Sequence, residues 1–434
     1  MNAVLDGARL ARQQEAADAS LLRFITAGSV DDGKSTLIGR LLHDAKGILA
    51  DQLSALSSAR NRRVSEGEID FSFLTDGLEA EREQGITIDV AYRYFSTVKR
   101  KFIIADCPGH EQYTRNMVTG ASTADAAVIL IDATQCRDGA LLTQTRRHTA
   151  LARLLGIRHL VFAINKMDLL DFDQAVFERI VSSCRALLSG LGGEENAHFV
   201  PISALRGDNV VEKSERTPWH GGPALLGLLE SLDTVSFEER ALRLPVQLVM
   251  RWGGHTAEDH RAYAGRVEAG SLKQGDEIGV FPSRQQARVD RIVRGGVDVQ
   301  TAHAGDSVMI YLDRDLDISR GDVLTAAGEC PEPVRQLRAR LAWLDNEAFA
   351  PGRRYRLRQA TRESLVKLQV EDRLNLNSLI YEPATGLNTN DIVTVNLTAA
   401  QALLPDRFSE APHTGSFILI DEASNHTVAA GMVL

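Results

Sequence analysis

A multidomain chain, with an α/β domain on a mostly parallel sheet followed by two all-β barrel domains, is the architecture that this sequence predicts. Three observations carry it. The 434 residues exceed what a single hydrophobic core serves. From Leu21 to about Glu230, short apolar runs alternate with longer amphipathic stretches. From Glu239 onward the runs become short, β-branched and punctuated by Gly, Asp and Pro.

Taken in order, "LLRFITA", "KFIIADC", "AAVILIDA", "HLVFAIN" and "HFVPIS" read as buried strands. Between them, "KSTLIGRLLHDA" and "DQAVFERIVSSCRALLSGL" carry apolar residues at helical spacing. Strand–helix alternation of this kind implies a parallel sheet covered by helices on both faces. Ligands of such sheets bind at the carboxyl ends of the strands. Beyond it, "AYAGRVEAGSLKQGDEIGVF", "ARVDRIV" and "SVMIYL" have the strand spacing of a small antiparallel barrel. "AAGECPEPVRQ" reads as a linker, and a second all-β block runs through "RRYRLRQATRESLVKLQV", "DIVTVNLT", "GSFILID" and "TVAAGMVL". The expected divisions are an N-terminal extension over 1–20, the α/β domain over 21–238, and barrels over 239–331 and 332–434.

Composition narrows the function. Hydrophobic residues at 44% and charged residues at 25% describe a soluble globular protein. A net charge of −9 argues against a general nucleic-acid coat, and no nucleic-acid partner is expected. Cys107, Cys136, Cys184 and Cys330 form no CxxC pair, which points to four reduced thiols rather than zinc ligands. The first twenty residues lack the apolar stretch of a secretory signal, and no run of ~18 apolar residues suggests a membrane span. The expected location is the cytoplasm.

The chemistry sits in four segments. Gly28-Ser29-Val30-Asp31-Asp32-Gly33-Lys34-Ser35-Thr36 contains GxxxxGK[ST], between a strand and a helix. Its glycines let backbone N–H groups turn inward around phosphate oxygens. Lys34 supplies charge to the β- and γ-phosphates, and the Ser35 hydroxyl ligates Mg²⁺. "DCPGH", Asp106 to His110, ends another strand. There Asp106 is placed to hold Mg²⁺ through water and Gly109 to offer its N–H to the γ-phosphate. Asp-x-Pro-Gly also spells an ordinary turn, so this segment alone decides nothing.

"NKMD", Asn165 to Asp168, follows "HLVFAI". The Asp168 carboxylate would accept both N1–H and the exocyclic amine of guanine, a donor pair that adenine lacks. Asn165 would bond the base or brace the loop, and the Lys166 stem would lie along the purine face. "ISAL", with Ser203, Ala204 and Leu205, would add backbone contacts to the guanine oxygen. Four signals in this order, each after a buried strand, mark a P-loop domain that binds GTP with Mg²⁺. Within "DGLEAEREQGITID", Thr87 is the candidate second protein ligand of Mg²⁺, able to sense the γ-phosphate.

That segment, with "VDDGKST" and "DCPGH", closely resembles the translational GTPase family of elongation factor Tu, over nearly the whole chain. The resemblance implies that His110 orients the attacking water, with Lys34 and Thr87 completing the catalytic set. Elongation factors typically carry His where this chain has Asp32, and Thr or Ala where it has Cys107. "DISRGD" at 317–322 and "GSFILID" at 415–421 resemble instead the large, GTP-binding subunit of bacterial sulfate adenylyltransferase. That resemblance implies a GTPase subunit of a hetero-oligomer in sulfate assimilation. On that resemblance a separate small catalytic subunit would form adenylylsulfate and pyrophosphate from ATP and sulfate, and GTP hydrolysis here would drive the uphill reaction.

Residues Ser54–Leu74, between the phosphate loop and Thr87, are an expected partner surface or else a helix packed on its own domain. Some members of the family continue into an adenylylsulfate kinase domain. With no second GxxxxGK[ST] here, that activity is expected to be absent.

Two alternatives remain. A carrier of aminoacyl-tRNA would want basic barrels, yet residues 239–434 hold 23 Lys/Arg against 26 Asp/Glu. The run Arg353, Arg354, Arg356, Arg358 is either a solvated strand face or a site for an anionic partner. A scaffold that binds GTP without turnover would not need His110.

Overall fold

The computed structural model describes residues 20–45, 90–108, 114–121, 123–234, 237–252, 260–347, 349, 352–375, 378 and 380–434. It divides into two compact units that part after Thr234, with the short segment 376–380 assigned to the first.

The first unit is built on a six-stranded sheet in the order β2-β3-β1-β4-β5-β6. Its strands are β1 (Leu21–Ala27), β2 (Ala91–Ser96), β3 (Lys101–Asp106), β4 (Ala126–Asp132), β5 (His159–Asn165) and β6 (Ala197–Pro201). Only β2 runs antiparallel to its neighbour. The central strands β4 and β5 are buried at every residue, which is why they read as unbroken apolar runs.

Helix α1 (Lys34–Asp44) buries Leu37, Ile38, Leu41 and Leu42 against this sheet, each contributing about 2 kcal/mol. The other helices are α2 (Thr114–Ala121), α3 (Thr143–Leu154), α4 (Gln174–Gly190) and α5 (Leu225–Ser231). Helix α4 starts where the Asp173 carboxylate accepts the Ala175 N–H at 2.7 Å.

Register brings the strand ends into line. Thr26 of β1 lies opposite Asp106 of β3, and Asp132 of β4 opposite Asn165 of β5. The loops that follow these ends therefore open on one edge of the sheet.

The second unit holds two antiparallel barrels with separate hydrophobic cores. The first holds β7 (Leu244–Trp252), β8 (His260–Arg266), β9 (Ser271–Lys273), β10 (Glu277–Phe281), β11 (Gln286–Arg294), β12 (Val297–Val299), β13 (Thr301–His303), β14 (Ser307–Leu312) and β15 (Val323–Ala326); it closes through the β10–β11 pairing, with β9 and β13 paired as a separate ribbon. The second holds β16 (Val334–Trp343), β17 (Arg354–Gln359), β18 (Arg362–Leu374), β19 (Tyr381–Pro383), β20 (Ile392–Leu403), β21 (Ser416–Asp421) and β22 (Thr427–Val433), and closes through β17–β18. Closure leaves no long open edge between those strands.

The barrels are tied together by Arg243, whose guanidinium meets the Asp406 carboxylate through two bonds of 2.7 and 2.8 Å. Phe281, Val323 and Leu404 form a small apolar cluster of their own. Three of the four arginines in the run at β17 are occupied by the protein itself. Arg353 bonds Asp421 at 2.6 Å, Arg358 bonds Glu363 at 2.7 Å, and Arg356 bonds Asn425 at 3.0 Å.

Candidate nucleotide-binding site

The loop from Gly28 to Gly33 joins β1 to α1 in a conformation that its sequence makes accessible. Asp31 (φ 67°) and Gly33 (φ 91°) both lie in the left-handed region. A Cβ at Gly33 would stand 2.5 Å from the Asn165 amide nitrogen, so only glycine fits. Gly33 caps α1 with no side-chain hydrogen bond. The first N–H groups of the helix thus remain directed at whatever anion the loop encloses.

Lys34 is almost wholly buried and donates to the Gly28 and Ser29 carbonyls at 3.2 and 3.1 Å. Burial depresses its pKa, and the nearby Asp106 and Asp32 carboxylates oppose that shift. Asp106, also buried, accepts the Thr26 hydroxyl at 3.0 Å, which fixes one carboxylate oxygen. Ser35 and Thr36 follow Lys34 on the first turn of α1, and Val30 is exposed at the loop tip.

Asp32 is 1% exposed and accepts the Ser29 N–H at 2.5 Å through one oxygen; the other has no partner among the described residues. Burial pushes its pKa up to about 6; the Ser29 bond and Lys34 work against the rise, and Asp132 adds to it. Cys107 is buried, with its thiol toward the Ala105 carbonyl at 3.7 Å, and burial raises its pKa. It therefore stays a neutral thiol beside the loop.

The other half of the site assembles around Asn165. Its amide nitrogen donates to the Asp32 carbonyl at 2.8 Å, while its oxygen accepts the Ala204 N–H at 2.9 Å. Of the two roles open to this residue, the observed bonds are those of a brace. The Lys166 ammonium reaches the Asp132 carboxylate at 2.7 Å. Asp132 also accepts the Thr134 N–H and hydroxyl at 2.8 and 2.6 Å. Burial alone would raise its pKa, but the bonds from Lys166 and Thr134 outweigh it and hold the carboxyl below its usual range.

Asp168 is nearly buried, and Arg206 Nε approaches it at 3.3 Å. The Ser203 hydroxyl accepts the Arg206 N–H at 3.2 Å, and the Leu205 side chain is exposed. The same edge of the sheet thus gathers Gly28–Thr36, Asp106, Asn165, Lys166, Asp168 and Ser203–Leu205. Thr87, Gly109, His110 and Ser54–Leu74 lie outside the described residues.

Three contributors escaped the sequence reading. Asp132 carried a signal, an acid ending a buried strand in register with Asn165, but no motif marks it. Arg40 and Arg206 carried none. On α3, buried His148 is pushed down to about 3 by burial and then by Lys34, and is neutral at physiological pH.

Comparison with known proteins agrees with this geometry. The Elongation factor Tu GTP binding domain family matches residues 19–238, and the GTP-eEF1A C-terminal domain-like family matches 336–434. Sulfate adenylyltransferase subunit 1 of Salmonella newport (strain SL254) is 48% identical over 417 residues, 95% of this chain and 85% of that protein. The chain belongs to the sulfate adenylyltransferase subunit 1 family. Another member, from Laribacter hongkongensis, is 49% identical over the same shares of both chains. The bifunctional enzyme NodQ of Rhizobium sp. (strain N33) is 49% identical over 99% of this chain, which spans 65% of NodQ.

The first unit is accordingly a GTP-binding domain of the elongation factor Tu type, followed by the barrels of that fold. No described helix is long and apolar enough to cross a membrane.

Proposed function

We propose that this member of the subunit 1 family is the GTP-hydrolysing subunit of a hetero-oligomeric, cytoplasmic sulfate adenylyltransferase. A separate small subunit joins ATP and sulfate into adenylylsulfate and pyrophosphate, and GTP hydrolysis here drives that unfavourable step. What supports the reading is the convergence of Lys34, Asp106 and Asp168 on one sheet edge, in a chain 48% identical to a sulfate adenylyltransferase subunit 1.

The phosphate loop binds the triphosphate through its backbone N–H groups and Lys34, while Asp168 reads the guanine edge. Described donors near the loop are hard oxygens, the Ser35 hydroxyl and the Asp106 carboxylate, and no cluster of three metal-binding side chains occurs among the described residues. That set suits Mg²⁺, which takes most of its ligands from phosphate and water. Ser35, Thr87 and Asp106 would hold the ion, which would supply positive charge against the negative charge developing on the phosphates. His110 orients the attacking water, and the segments around Thr87 and His110 favour one state of the complex until the γ-phosphate leaves.

A tRNA-carrying role finds no support in the barrels, where Arg353, Arg356 and Arg358 are already bonded within the protein. The test is GTP turnover. It should rise when the small subunit, ATP and sulfate are added together, and stimulation by ribosomes instead would sink the proposal. His110→Ala should retain GTP binding and slow hydrolysis; loss of binding would make the residue structural.

A further inference from the structure

Arg40 belongs to no motif, yet it spans the two halves of the site. It lies on α1, which begins at Lys34, and reaches the turn after β6. Its Nε donates to the Ala204 carbonyl at 3.3 Å, and a terminal nitrogen donates to the Leu205 carbonyl. Asp44, one helical turn on, steadies the guanidinium at 3.6 Å. The stem crosses the turn closely enough that a Cβ at Gly207 would stand 3.7 Å from Arg40 Cδ and Nε.

The backbone donors of that turn are otherwise committed. The Ala204 N–H goes to Asn165 Oδ1 at 2.9 Å, the Arg206 N–H to Ser203 Oγ at 3.2 Å, and the Gly207 N–H to the Ser203 carbonyl at 2.8 Å. The Leu205 N–H has no partner among the described residues. A trans peptide is planar, with its carbonyl and N–H pointing opposite ways. Drawing the Ala204 carbonyl onto Arg40 therefore turns the Leu205 N–H away from α1. It does so in a turn whose Arg206 already touches Asp168.

We propose that Arg40 is a positioning residue for guanine recognition. It locks two peptide planes so that the Leu205 N–H faces the C6 carbonyl oxygen of the base. Because Arg40 sits on the helix that starts at the phosphate-binding lysine, it sets the spacing between phosphate and base sites. The inference rests on the reading that GTP is the nucleotide.

The test uses the full-length chain and three probes, GTP, ATP and 6-thio-GTP, whose sulfur is the poorer acceptor at C6. Wild type should prefer GTP to 6-thio-GTP in direct binding titrations. Arg40→Ala should weaken GTP roughly fivefold, the worth of one neutral hydrogen bond, and leave 6-thio-GTP almost unchanged, so the preference collapses. Arg40→Lys, which can still reach one carbonyl, should retain an intermediate preference and carries the test should Arg40→Ala not fold. Equal weakening of both guanine nucleotides would mark a merely structural role and overturn the proposal. So would an unchanged preference in both variants, or no preference in wild type. A wild type that failed to prefer GTP over ATP would instead overturn the guanine reading itself.

Discussion

Asp32→Asn should stabilise the nucleotide-free protein, and more so at alkaline pH. The carboxyl is buried and its pKa stands at about 6, against 3.8 for an aspartate free in water. The sign follows from proton counting. Between these values the folded chain binds more protons at this site than the unfolded chain, so stability falls as pH rises through the window. The penalty is fully present above the folded pKa, at about 3 kcal/mol by pH 8, and drops to about half of that at pH 5.

Asparagine keeps an oxygen for the Ser29 N–H but trades a charged acceptor for a neutral one, which returns about 1 kcal/mol. The net gain at pH 8 is about 2 kcal/mol. For a domain of this size that corresponds to roughly 4–8 °C in the melting temperature. The assay is the difference in melting temperature between variant and wild type, measured without nucleotide at pH 5 and pH 8. A difference that does not grow with pH would refute the burial argument. A variant less stable than wild type at pH 8 would show that the charged bond to Ser29 outweighs desolvation.

Three further outcomes follow from the same geometry. Asp168→Asn should weaken GTP binding by on the order of a hundredfold and move preference toward xanthosine triphosphate, since an amide donor meets the C2 carbonyl of xanthine; competition titrations with both nucleotides check this. Gly33→Ala confronts both a left-handed backbone and the Asn165 amide, and should lower GTP affinity by more than tenfold, as read by equilibrium binding. Arg243→Ala removes both bonds to Asp406, whose side chain is about nine-tenths buried, and should cost about 3–5 kcal/mol in denaturant unfolding of the barrel unit. An unchanged midpoint there would mean that the pair contributes nothing net.

How much of this was legible in the sequence depends on how local the cause is. The parallel sheet could be read because β4 and β5, buried on both faces, must be apolar at every position, and the barrels because their turns demand Gly, Asp and Pro. The phosphate loop could be read because its backbone conformation and charge permit few residue types at fixed spacing. The roles of Asp132, whose one signal is its place at a strand end, and of Arg206 could not be read. Each works through one partner distant in sequence, Lys166 in the first case and Asp168 in the second, and a single charge carries no pattern. The arginine run at β17 posed the opposite difficulty. Its spacing was plain, but only the fold brings Asp421 across to Arg353 and Glu363 to Arg358.

Asn165 shows why the two halves of the site should be coupled. Its oxygen holds the Ala204 N–H and its nitrogen the Asp32 carbonyl, while the Asp32 carboxylate in turn holds the Ser29 N–H. A displacement of the Ser203–Leu205 turn therefore reaches the phosphate loop through three hydrogen bonds carried by the short, buried side chains of Asn165 and Asp32. Arg40 closes the circuit from the other direction, since it links α1 to the same turn. In such a ring the order imposed by guanine lowers the cost of ordering the phosphate loop. Binding of base and triphosphate then reinforce each other beyond their separate contributions, as any two sites do when a shared rigid element must be fixed for both.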